Sequence, residues 1–341
     1  MSLISTVHVV DAAGLDELRR CRGDLVVERQ DGDTDAFVAT VGPFEDYRRT
    51  LAVTEQADGR FEVVEATRFR LAIPLWRPLF TPLMRRALAD TARQPRRRWW
   101  WPAEVVADTT SRLVAAICVI SVLTGYLGVI IGQTITFAAE DFGRGDGAQA
   151  NTLAAVRIGV LLSLVFLRRA DRFGRRPLVL NFAAAAIAFT VVGALSPNLI
   201  VLGASQTISR GLTTGLITLL VLAGTEEVPA SARAFTVSLI TVCAALGAGM
   251  VLWVLPVADV AAGAWRIVYV VPVLFLPVLW WVGRHLPETR RFRAATSSDA
   301  PAPINRRRLL LLGFTAFATA MFASPASQLR NEFLRDDLDY S

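Results

Sequence analysis

Seven stretches of this chain are long and apolar enough to cross a bilayer, and that feature limits its fold more than any other. They lie near 113–138, 150–167, 178–196, 199–223, 235–256, 265–283 and 309–327. About 20 apolar residues span a hydrocarbon layer of about 30 Å, and a helix satisfies its own backbone there. The connections are short, as in a bundle. Composition agrees, because 53% of the 341 residues are hydrophobic, too many for an ordinary soluble domain of this size. Residues 1–108 differ, alternating charged and apolar positions. A small cytoplasmic α+β domain is expected over 1–98, an interfacial linker over 99–112 and a six-helix bundle over 113–285. A central cytoplasmic loop over 286–308 follows, then a seventh helix and the start of an external loop over 309–341.

Arginine marks the sides. Arg96, Arg97 and Arg98 precede span one; Arg168, Arg169, Arg172, Arg175 and Arg176 lie between spans two and three; Arg290, Arg291, Arg293, Arg306, Arg307 and Arg308 lie between spans six and seven. All three groups fall on one side, and positive charge collects in cytoplasmic loops. The opposite loops carry Glu140, Asp141, Asp146 and Asp259. The expected topology is an N-terminus inside and a C-terminus outside, in the cell inner (plasma) membrane. The net charge of +6 is thus accounted for without nucleic acid.

The cytoplasmic segment reads as strands near 23–30, 36–42, 47–55 and 60–73, separated by turn signals at Asp31-Gly32-Asp33 and Ala57-Asp58-Gly59-Arg60. An amphipathic helix is expected within 75–92, preceded by Pro78 and Pro82. Trp99, Trp100 and Trp101 are placed as an anchor at the inner leaflet. His8 and Cys21 show no partner in the sequence, and Cys118 and Cys243 sit in apolar runs where they pack as small hydrophobes. No disulfide framework, zinc spacing, phosphate-binding glycine loop or Ser/His/Asp set is present. An enzyme is not expected, and no metal or cofactor is implied.

Three fragments carry a resemblance. Ala170-Asp171-Arg172-Phe173-Gly174-Arg175-Arg176-Pro177 lies between spans two and three, and Glu226-Glu227-Val228-Pro229-Ala230-Ser231-Ala232-Arg233-Ala234 follows span four. Leu286-Pro287-Glu288-Thr289-Arg290 leaves span six. These resemble the D-R-x-G-R-[RK], E-x-x-P-x-x-x-R-G and P-E-[ST]-x-R loops of the major facilitator superfamily, the second being of the sugar-porter kind with Ala234 in place of glycine. Leu167 and Arg169 depart from the first pattern. The resemblance implies an all-α N-terminal bundle of six helices plus a seventh, and a small-solute transporter working by alternating access. It also implies that Asp171, Arg172, Gly174, Arg175, Arg176, Glu226 and Arg233 form a cytoplasmic gating network. Members have two six-helix halves, so the chain is expected to be a truncated form. A missing C-terminal bundle or another chain would be its partner.

Charged residues inside spans are costly and are functional candidates by default. Arg157 in span two and Arg210 in span four qualify, with a surface contact to Asp141 or Asp146 as the alternative for Arg157. Gln133, Tyr126 and Thr136 on span one are candidates for a substrate cavity, with interhelical hydrogen bonding as the alternative. Two arginines with no facing acid favour an anionic solute. Two competing roles remain: a membrane-anchored cytoplasmic ligand-binding or regulatory module, and an inactive transporter remnant.

Overall fold

The computed structural model describes residues 1–32, 34–57, 59–90, 100–102, 104–167 and 175–285, with 307, 310, 311, 314, 315 and 318. Residues 1–292 form one unit and 293–341 another. The first unit begins with a five-stranded antiparallel sheet: β1 (Ser2–Val10), β2 (Val27–Gln30), β3 (Ala36–Val41), β4 (Phe44–Glu55) and β5 (Phe61–Leu71), in the order β1-β5-β4-β3-β2. Helix α1 (Ala12–Arg19) follows β1, and α2 (Arg77–Ala89) follows β5 after a 3-10 turn at Pro74–Trp76. The expected turns are present, with Gly32 and Gly59 at φ of 68° and 76°, a conformation glycine adopts without a Cβ penalty.

Strand β1 and helix α1 were not expected from the sequence. The prolines fall inside α2 and do not precede it. Pro78 costs little there, since first-turn N–H groups have no intrahelical partner. Trp100 and Trp101, expected at the inner leaflet, pack half-buried against a core of Leu25, Val26, Phe44, Tyr47, Phe69 and Met84 in the sheet domain. Trp99 lies outside the described residues.

One face of the sheet buries an ionic cluster. Fully buried Arg49 holds Glu28 through Nη2 at 2.7 Å and Nε at 2.9 Å. Its Nη1 and Nη2 also donate to the Leu18 and Arg20 carbonyls at 2.9 and 3.0 Å. Glu28 further accepts from the Tyr47 hydroxyl at 2.6 Å and the Arg22 backbone N–H at 2.9 Å. Arg22 reaches Glu65 and the Leu88 carbonyl, both at 3.0 Å. Burial opposes ionisation of Glu28, yet Arg49, Tyr47 and the Arg22 N–H together hold its carboxyl below the usual range. Two arginines thereby tie the ends of both helices to the sheet. His8, read from the sequence as unpartnered, lies 3.3 Å from Glu65 and 3.2 Å from the Thr6 hydroxyl.

Helices α3 (Asp108–Asp141), α4 (Asp146–Leu167), α5 (Arg175–Ala194), α6 (Leu199–Glu227) and α7 (Arg233–Val254) build the bundle with α8 (Trp265–Val270) and α9 (Leu276–His285), which a 3-10 turn joins. Among the described residues, six helical stretches are long and apolar enough to cross a membrane. The chain is thus a multi-pass membrane protein with a small antiparallel sheet domain. The expected seventh span lies for the most part outside the described residues.

Candidate functional site

Helix α6 organises the interior. Asn198 caps it by accepting from the Val201 N–H at 2.9 Å. Along one side run Gln206, Arg210 and Thr213 at i, i+4 and i+7, which a 3.6-residue period places on one face. Gln206 and Thr213 are buried, and the Gln206 Nε2 and Thr213 Oγ1 atoms have no hydrogen-bond partner among the described residues. Arg210, half-buried, donates from Nη1 to the Gly128 carbonyl of α3. On the neighbouring side, the Ser209 and Thr190 hydroxyls bond α6 to α5 at 2.9 Å.

Two close crossings hold this arrangement. At the α4–α6 contact, a Cβ on Gly159 would run into the Thr207 carbonyl, and one on Gly211 would sit 2.7 Å from the Gly159 carbonyl. At the α3–α7 contact, a Cβ on Gly125 would meet the Ala244 carbonyl, and one on Gly247 the Val122 carbonyl. Without side chains at these points the backbones touch, as small residues permit in membrane helices. The first crossing brings α4, which carries Arg157, beside α6, which carries Arg210. Arg157 itself is exposed.

The remaining candidates separate. Tyr126 is fully buried and donates to the Val268 carbonyl at 2.8 Å, so its hydroxyl ties α3 to α8. Gln133 and Thr136 are half-buried on α3. The contact considered for Arg157 at Asp141 is occupied by others: Arg266 pairs with Asp141 at 2.6 Å, and the Trp265 Nε1 donates to it at 3.2 Å. Of the gating loop, Asp171, Arg172 and Gly174 lie outside the described residues, as does the Arg175 side chain. Arg176 donates to the Gly283 carbonyl at 2.6 Å, linking α5 to α9. Glu226 is half-buried at the end of α6, and Arg233 is exposed at the start of α7.

Sequence reasoning missed the Gln206, Ser209 and Thr190 seam and the pair formed by Thr134 and Tyr269, whose hydroxyls lie 2.8 Å apart. The polar spacing on α6 was a usable signal. The 135-residue separation of Thr134 and Tyr269 left none. A contact between the sheet domain and the bundle was also missed. Trp76 donates from Nε1 to the Ala115 carbonyl at 3.0 Å and packs on Cys118, Val122 and Cys243 between α3 and α7.

No protein-family model matches the sequence, and no curated protein matches it. Among solved structures the chain is similar to a double-tryptophan mutant of XylE, with 18% identity and a TM-score of 0.47. The match covers 54% of this chain and 46% of that one, so the chain spans less than half the length of its structural neighbour.

Proposed function

We propose that this protein moves a small solute across a membrane by alternating access, as a secondary transporter of the major facilitator type. The observation that carries the reading is Arg210, a charge in the middle of a membrane-length helix, held against α3 by the Gly128 carbonyl. A charge in that position is costly and is a functional candidate by default. The loops at Asp171 to Arg176 and Glu226 to Arg233 support the reading through their resemblance to the superfamily. In this reading Arg210 and Arg157 attract an anionic solute, Gln133 and Thr136 line its path, and the loop residues gate the cytoplasmic side. The arginine distribution supports an inner-membrane setting with the sheet domain inside. The test is uptake of a panel of radiolabelled organic anions into liposomes carrying the full chain. Arg210→Ala is expected to lower uptake at least about tenfold, the scale of one lost charged contact of about 1.4 kcal/mol. Unchanged uptake in that variant overturns the role of Arg210.

The Trp76 contact favours a second role beside the first, in which the sheet domain binds a ligand and conveys it to α3 and α7. A thermal-shift screen of the full chain with metabolite pools tests it. A shift that Trp76→Ala uncouples from the helical transition is the expected result, and no shift counts against it.

A further inference from the structure

Strand β1 is an edge of the sheet, since the order runs β1-β5-β4-β3-β2. Its nine residues, Ser2-Leu3-Ile4-Ser5-Thr6-Val7-His8-Val9-Val10, pair with β5 in an unbroken register from Ser2 opposite Phe69 to Val10 opposite Phe61. Proteins usually guard such an edge with lysine or another charge, proline, a bulge or a covering element. This strand has no proline, glycine, acidic residue, lysine or arginine, and its register has no bulge. The Arg85 guanidinium touches the Leu3 carbonyl at 3.4 Å, an exposed contact at one end.

The exposed side chains point the same way. Among the described residues of the sheet domain, the large hydrophobics left exposed are Met1, Leu3, Val7 and Val9 on or beside β1, with Val27, Leu75 and Leu79 elsewhere. Leu3, Val7 and Val9 are 51%, 60% and 54% exposed, on alternate positions that place them on one face. Most of the other exposed hydrophobics lie on membrane-length helices, where lipid contact accounts for them.

We propose that β1 is a dimerisation edge, to which a second copy of this chain adds its own β1 in antiparallel pairing. The strand is complementary to itself. With Thr6 on the two-fold axis, Leu3 faces Val9 of the second copy, Ser5 faces Val7, Ile4 faces His8 and Thr6 faces Thr6. Leu3 and Val9 then meet across the open face, hydroxyls meet at the centre, and no like charges oppose each other, all compatible with antiparallel pairing. The contact is isologous, so it closes at two copies and leaves no further edge of this kind. Two five-stranded sheets become one continuous sheet. This inference does not depend on the transport reading.

The test is the mass of the full chain in detergent, by light scattering on a size-exclusion column. Wild type is expected as a dimer at micromolar concentration. Leu3→Lys with Val9→Lys sets like charges against each other in this register and is expected to weaken the dimer at least about tenfold, which is about 1.4 kcal/mol. Leu3→Glu with Val9→Lys sets opposite charges together and is expected to restore it. These side chains are exposed, so the monomer fold is kept. Thr6→Cys in a Cys21→Ser background, oxidised with copper phenanthroline, is expected to give a covalent dimer. A wild-type monomer with no cross-link overturns the proposal. So does a dimer that Leu3→Lys with Val9→Lys leaves intact, or that Leu3→Glu with Val9→Lys does not restore.

Discussion

The sheet domain and the helical bundle bury charge in opposite ways. In the sheet domain, Arg22, Arg49, Glu28 and Glu65 are sequestered together, and each arginine meets a carboxylate at 3.0 Å or less. In the bundle, half-buried Arg210 leans on a backbone carbonyl of the neighbouring helix. A paired buried charge fixes geometry, because its cost is recovered only when every partner is in place. A half-buried charge held only by a carbonyl keeps donors free for a further partner. The comparison teaches where structure is held and where a ligand is worth testing for: the first cluster is a clasp, and the second is the site proposed above.

The comparison can be broken most forcefully at Glu28. Replacing it with Gln leaves Arg49 buried beside a neutral group, and loss of about 3–5 kcal/mol of sheet-domain stability is expected in urea titrations. Glu28→Met with Arg49→Met should recover most of that loss, since an apolar pair of similar volume replaces the ions. The pH dependence has a defined sign. The folded Glu28 carboxyl titrates below its unfolded value, so its contribution is complete above the unfolded value of about 4.3 and is lost as pH falls through the lower folded value. Acid unfolding followed by Trp100 and Trp101 fluorescence should set in below about pH 4, and Glu28→Gln should flatten that dependence.

In the bundle the larger effects come from backbone contact. Gly247→Val places carbon against the Val122 carbonyl and should destabilise the helical part by about 3 kcal/mol in a detergent-unfolding assay, leaving the acid transition of the sheet domain in place. A uniform loss in both regions would show that Trp76 makes them unfold together. At the helix cap of α1, Asp11 accepts from the Gly14 N–H at 2.9 Å. Asp11→Ala should cost about 1 kcal/mol, read in the sheet domain alone. The smallest effect is expected at Tyr126→Phe, which removes the bond to the Val268 carbonyl at about 0.6 kcal/mol, the typical worth of an interhelical hydrogen bond in a membrane.

The two regions also differed in how much could be read in advance. The expected spans near 113–138 and 199–223 correspond to α3 and α6, because length and apolarity are local properties that the bilayer enforces one helix at a time. The hairpins at Gly32 and Gly59 were legible through turn chemistry. Strand β1 was not, since its intermediate positions Ser2, Ile4, Thr6, His8 and Val10 mix polar and apolar residues and give no clean alternation. Pro82 inside α2 misled through its usual role as a helix breaker. At the site, Arg210 and Arg157 were visible as costly charges. Nothing in the sequence joined Arg210 to Gly128, 82 residues earlier, or turned Tyr126 toward Val268.

What the sequence alone determined is a membrane-length helical bundle behind an antiparallel sheet, together with the residues whose burial would be expensive. Tertiary structure decided which of those residues meet. Hydropathy depends on each residue's own transfer from water, and that can be added up along a chain. Pairing depends on approach distance: in the bundle, glycine at 125, 159, 211 and 247 lets backbones touch, and it is tertiary packing in each region that brings Arg49 to a carboxylate and Arg210 to a carbonyl.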